Sequence, residues 1–172
     1  MASLTESRRY LFIDDIPQYL RIYLKILRNA GHSVEIIDNI GAGWTRIECD
    51  GPFHLVLIDL GLDRKIREFD REYEEIIDTL RAQGYGSLPI SGQVLGLRLW
   101  RRRKEMQQRY CYLTNHPQLW LANLNPDDPE FGGEKPEILR DMVLDKSDLW
   151  SRNIEEKFQR AHQVWEDEQW LR

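Results

Sequence analysis

Five groups with metal or phosphate chemistry stand at the ends of apolar runs. Asp14 and Asp15 close Tyr10-Leu11-Phe12-Ile13, and Asp59 closes Leu55-Val56-Leu57-Ile58. Thr114 closes Tyr110-Cys111-Tyr112-Leu113, and Lys146 follows Met142-Val143-Leu144-Asp145. Taken alone, Asp59 reads as a turn or helix-capping aspartate; the other four change that. Three carboxylates brought together repel, and a hard divalent cation such as Mg²⁺ relieves the repulsion with oxygen ligands. Lys146 adds a fourth partner, leaving the set near neutral and able to accept an anion. A carboxylate attacking phosphorus gives an aspartyl phosphate. Mg²⁺ and an ammonium group would neutralise the transferring group, and the Thr114 hydroxyl could hydrogen-bond it.

Such a set works only if four separate segments converge. Short apolar runs without alternation are strands buried on both faces, as in parallel sheets. Between them lie helical patterns. Pro17 opens the first, with Leu20, Tyr23, Leu24 and Leu27 at helical spacing and Gly31 closing it. Ser33–Ile37 reads as the second strand. Ile40–Glu48 reads as a short helix weakened by Gly41 and Gly43. Strands alternating with helices imply a parallel sheet with right-handed crossovers. In the flavodoxin-like order 2-1-3-4-5, strands 1 and 3 are neighbours at the switch point. That order brings Asp14 and Asp15 beside Asp59, with Thr114 and Lys146 on the same rim. The expected fold is therefore α/β, a doubly wound five-stranded parallel sheet with helices on both faces and an extra helical insertion after strand 3.

That insertion carries Ile66, Phe69, Tyr73, Ile76 and Leu80 at heptad spacing inside Leu62–Ala82. Two repeats are short for a coiled coil, so the seam is expected to dock on its own domain. Ser91-Gly92 starts another helix, with Val94, Leu95, Leu97, Leu99 and Trp100 on its apolar side. Arg101–Lys104 reads as its solvated end. His116-Pro117 reads as the start of a helix through Leu119, Trp120 and Leu121. Asn125–Pro136 reads as an exposed loop. The final helix is expected from about Asp148 to Trp170, with Ile154, Phe158, Ala161 and Trp165 on one face. It is also the natural candidate for a homodimer or partner surface, although Trp165 reads as core.

A chain of 172 residues with 41% hydrophobic content supports one domain with a full core. The net charge of -5 gives no general affinity for nucleic acid. Cys49 and Cys111 lack metal-ligand spacing and read as buried free thiols of a cytoplasmic protein. No run approaches the ~18 apolar residues of a membrane span, and the N-terminus lacks a signal-peptide core.

The residues now quoted resemble the receiver domain of two-component response regulators. Phe12-Ile13-Asp14-Asp15, Leu57-Ile58-Asp59-Leu60, Ser91-Gly92, Tyr112-Leu113-Thr114 and Leu144-Asp145-Lys146 carry the resemblance in the right order across nearly the whole chain. It implies Asp59 as phosphoacceptor and Asp15 as principal Mg²⁺ ligand, with Asp14 assisting and the Gly61 carbonyl as a further ligand. It also implies Thr114 as switch hydroxyl, Lys146 as phosphate-binding ammonium, and a histidine kinase or phosphotransfer protein as donor. The chain departs from the family's pattern by insertions at 63–90 and 125–140. It has Val143 where an aromatic switch residue is usual, Ser147 in place of proline and Asn115 in place of a small residue. Tyr112 and Trp120 are the aromatics that could substitute for the missing one. With no output domain following the last helix, the expectation is a stand-alone receiver at 1–172 that signals by binding another protein. A phosphorylation-independent pseudo-receiver is the alternative, and a Mg²⁺-dependent phosphohydrolase ranks below both.

Overall fold

The computed structural model describes residues 6–86 and 88–172. Five strands form one sheet: β1 (Arg9–Ile13), β2 (Ser33–Ile37), β3 (Leu55–Ile58), β4 (Tyr110–Thr114) and β5 (Val143–Asp145). All pairings are parallel, in the order β2-β1-β3-β4-β5. The central strands β3 and β4 are buried along their whole length, whereas edge strand β2 is only partly so. This is why the central runs are continuously apolar: both faces meet helices.

Among the described residues the helices are α1 (Arg21–Asn29), α2 (Ile40–Asp50), α3 (Asp70–Ala82), α4 (Ser91–Arg101), α5 (Arg103–Met106), α6 (Pro136–Met142) and α7 (Ile154–Asp167). On one face of β1, Phe12 packs against Phe158 of α7 with ring centroids 6.0 Å apart. On the other, Ile13 lies so close to α2 that a Cβ at Gly43 would sit 2.6 Å from its Cδ1. Gly43 thus weakens α2 as an isolated helix but lets it close on the sheet. The Asn39 side chain offsets part of that cost by accepting from the Ala42 N–H at 2.8 Å. Before α1, Pro17–Leu20 forms a 3-10 turn, and Gly31 takes φ +94° just after the helix.

Several expected boundaries are corrected. Leu62–Ala82 is not one helix: a 3-10 turn at Arg67–Phe69 precedes α3, and the chain before it is irregular. Side chains hold that irregular stretch, because the Tyr73 hydroxyl and Ser91 Oγ both donate to the Arg64 carbonyl, at 3.1 and 2.8 Å. The seam docks as expected, with Phe69, Tyr73, Ile76 and Leu80 all buried and α3 lying against α4. The stretch after His116 forms only a 3-10 turn, Pro117–Leu119, and turns extended at Trp120. The segment 125–136 is a loop, but not an exposed one: Glu130 and Phe131 are buried. Helix α6 then forms partly inside the stretch expected to be loop.

The last helix begins at Ile154 rather than near Asp148, after a 3-10 turn at Lys146–Asp148. Its expected face of Ile154, Phe158, Ala161 and Trp165 is buried. Trp165 and Trp170 both join an aromatic cluster with Trp100 and Phe131, so these rings complete the core. In the basic run, Arg103 is not simply solvated. It stacks over Trp100 at 4.0 Å and pairs with Asp128 at 2.7 Å. Cys111 is buried as expected, but Cys49 is exposed near the end of α2. Among the described residues, no helix is long and apolar enough to cross a membrane.

Candidate functional site

Register builds the site. Ile13 pairs with Ile58 across β1 and β3, so the next residues, Asp14 and Asp59, leave the sheet side by side. The Asp59 N–H donates to the Ile13 carbonyl at 3.0 Å, and the Asp14 N–H to the Ile37 carbonyl at 2.9 Å. Thr114 and Asp145 pair across β4 and β5, which brings Lys146 round to the same edge. The carboxyl ends of the strands thus form the crevice where open α/β sheets bind ligands.

Asp14, Asp15 and Asp59 each offer a carboxylate oxygen, and these atoms all lie within 4.8 Å of one another. Asp14 and Asp59 are buried, while Asp15 is exposed and gives the cluster its solvent side. Lys146 Nζ donates to Asp14 Oδ2 at 2.7 Å and stands 3.5 Å from Asp59 Oδ2. Main-chain donors complete the shell: Ile16 N–H to Asp14 Oδ1 at 2.8 Å and Gly61 N–H to Asp59 Oδ1 at 3.0 Å. Burial raises the Asp14 carboxyl above its ordinary range, while the Lys146 and Ile16 hydrogen bonds pull against that rise. Burial also raises Asp15, and repulsion from Asp14 and Asp59 pushes the same way. An all-oxygen donor set of crowded carboxylates balanced by one ammonium fits a hard divalent cation such as Mg²⁺.

Two further contacts shape the site. A Cβ at Gly92 would lie 2.1 Å from the Asp59 carbonyl oxygen, so α4 begins in direct contact with the Asp59 backbone. Thr114 is fully buried, and its hydroxyl accepts from the His116 N–H at 3.1 Å. A cleft of about 370 Å³ lined by Tyr19, Tyr23, Asn115, Lys146 and Ser147 opens beside the ammonium.

Asp14, Asp15, Asp59 and Lys146 therefore come together as the sequence predicts. Gly61 stands two residues after Asp59, with its N–H on the Asp59 carboxylate, and Thr114 ends the strand next to β3. Sequence reasoning missed Glu130. Its carboxylate takes hydrogen bonds from the Tyr110 and Tyr112 hydroxyls, from Trp120 Nε1 and from Gln93 Nε2. The signal was present in Tyr110 and Tyr112. Two tyrosines on one face of a buried strand need an acceptor for their hydroxyls.

No protein-family model matches the chain, and no curated protein matches it. Solved structures do. The N-terminal domain of a response regulator/sensory box/GGDEF 3-domain protein from Carboxydothermus hydrogenoformans is 14% identical, with a TM-score of 0.60 over 94% of this chain and 98% of that one. A CheY-like response regulator receiver domain protein from Methanospirillum hungatei JF-1 is 19% identical, with a TM-score of 0.53 over 95% and 99%. The REC domain of the Erythrobacter litoralis PhyR response regulator is 15% identical, with a TM-score of 0.53 over 90% and 89%. The fold is that of response regulator receiver domains, and the flavodoxin-like strand order is the one expected.

Proposed function

We propose that this chain is a regulatory receiver that accepts a phosphoryl group on Asp59 from a partner histidine kinase or phosphotransfer protein in the cytoplasm, and passes the change to a further protein. The observation that carries the reading is the convergence of three carboxylates within 4.8 Å with an ammonium 3.5 Å from Asp59. Asp14, Asp15, Asp59 and the Gly61 carbonyl would hold Mg²⁺. Bound there, the cation supplies charge neutralisation for the transferring phosphoryl group. Asp59 forms the O–P bond as the donor's P–N bond breaks, and the electron pair leaves on the donor nitrogen. Lys146 is held ready by Asp14 to offset the acceptor's negative charge. Thr114 offers its hydroxyl to the new phosphoryl oxygens. The main-chain donors on Asp14 and Asp59 fix both carboxylates before any donor arrives.

Intact mass after incubation with acetyl phosphate and Mg²⁺ tests this. The wild type should gain one phosphate, and Asp59→Asn should gain none. No adduct on the wild type, or undiminished labelling of Asp59→Asn, would overturn it. One observation favours a second reading, a phosphorylation-independent interaction module. Half-buried Val143 offers no ring to follow Thr114. Under that reading, partner binding is indifferent to Asp59→Asn.

A further inference from the structure

We infer that Glu130 is a positioning residue, the centre of a latch that clamps the chain after Thr114 against α4, so that closing the latch and occupying Asp59 compete. This rests on the acceptor reading above and concerns how that site is regulated. The latch has two jaws. One is Gln93 on α4, next in sequence to Gly92, which touches the Asp59 backbone. The other is Trp120-Leu121, at the end of the segment that begins at Thr114. Gln93 Nε2 donates to the Leu121 carbonyl at 2.7 Å, and the Leu121 N–H donates back to Gln93 Oε1 at 2.8 Å. Glu130 closes them together. Its Oε1 accepts from Trp120 Nε1 at 2.8 Å and from Gln93 Nε2 at 3.3 Å. Its Oε2 accepts from the Tyr112 hydroxyl at 2.7 Å and from the Tyr110 hydroxyl, which also lies 2.9 Å from the Gly96 carbonyl oxygen.

The space for this arrangement comes from a missing side chain. A Cβ at Gly96 would lie 1.8 Å from the Tyr112 hydroxyl and 2.9 Å from Glu130 Oε2. Any larger residue there would evict the tyrosine from the carboxylate. Glu130 itself is 8% exposed, so breaking the latch leaves several buried donors without an acceptor. The connection to Asp59 runs along the main chain. The Thr114 hydroxyl already accepts from the His116 N–H. A Thr114 that swings toward a phosphoryl group takes His116 with it. The 3-10 turn Pro117–Leu119 then passes the displacement to Trp120 and Leu121. Tyr112 and Trp120 both end on the same carboxylate, so Glu130 supplies a coupling that Val143 cannot.

Coupling is reciprocal: if occupancy of Asp59 strains the latch, a broken latch favours occupancy. The test uses the full chain with beryllofluoride and Mg²⁺ as the phosphoryl mimic. Glu130→Gln puts an amide among donors that need an acceptor, and Trp120→Phe removes one donor to Glu130 while leaving the Gln93–Leu121 hydrogen bonds in place. Both should bind beryllofluoride about fivefold or more tightly than the wild type. Both should also show faster hydrogen exchange over residues 115–124 before any mimic is added. If Glu130→Gln fails to fold, Trp120→Phe decides alone. Folded variants that bind no tighter than a binding-competent wild type overturn the latch, since a merely structural role would leave affinity level or lower it. A wild type that binds no beryllofluoride and gains no phosphate overturns the coupling together with the acceptor reading. The two failures are thus distinguishable.

Discussion

Gly92 and Asp59 meet backbone to backbone. A methyl at Gly92 would press on a carbonyl oxygen that cannot rotate away, 2.1 Å from the ideal Cβ position. Gly92→Ala should therefore cost about 1–3 kcal/mol, the usual range for overpacking. It should also displace Asp59, lowering the thermal midpoint and, under the proposed function, phosphate uptake; an unchanged midpoint would mean that α4 slides freely. At this scale the charged cluster was readable because its members stand within two residues of the end of an apolar run, as at Asp14, Asp15, Asp59 and Lys146. Glu130 was not. It lies among Pro, Gly and Asp, a composition that signals an exposed turn. Its partners Tyr110, Tyr112, Trp120 and Gln93 come from 10 to 37 residues away. A loop's composition describes only its own residues, whereas burial of a carboxylate depends on donors brought from elsewhere.

Helix α3 shows what an element's periodicity does and does not decide. The heptad seam identified the buried face, because an apolar stripe must be covered by something. It did not identify where the helix starts. That is settled by Tyr73 and Ser91, whose hydroxyls take the Arg64 carbonyl out of any helical ladder. Ser91 comes from the next helix, so no local window contains the cause. Ile76 is fully buried at the centre of the seam. Ile76→Ala should cost about 2–5 kcal/mol by chemical denaturation, as for other core truncations. A loss below ~0.5 kcal/mol, the range of surface changes, would mean that α3 is not docked in solution. The same contrast holds at α2. Its glycines lower helix propensity, yet the helix runs on to Asp50 because Gly43 admits Ile13 and Asn39 caps the first turn.

Across the whole molecule the two ends of the sheet are chemically opposite. Acids gather where the strands finish, and imidazoles gather where β3 begins. His54, just before β3, stacks on His162 of α7 at 3.8 Å, with the rings 3° from parallel. Burial, then His54, Arg109 and Arg8, lower the His162 pKa from 6.5 to about 3, and burial lowers His54 as well. For these groups the unfolded chain binds protons first. The His162 contribution is complete above pH 6.5 and is lost as pH falls toward about 3, and that of His54 is lost in the same direction. Glu130 and Asp14 are raised by burial and act with the opposite sign, gaining stability on acidification. A difference isolates the histidine. Between pH 7 and pH 4 the urea midpoint should fall less steeply in His162→Gln than in the wild type; equal slopes would show that the pair titrates normally. Sheet order and strand identity were legible from the sequence, because buried parallel strands advertise themselves as unbroken apolar runs. The histidine stack was not, since its two rings are 108 positions apart and neither sits in a motif.

The ion pair between Lys146 and Asp14 spans 132 positions. During synthesis the first three strands and all three acids leave the ribosome long before the one ammonium that balances them. Until β5 has been made and seated beyond β4, the nascent rim carries uncompensated negative charge. Loop closure on this length comes late in assembly. A shortened translation product that stops before β5 would hold every aspartate of the cluster and still lack the ammonium paired with Asp14.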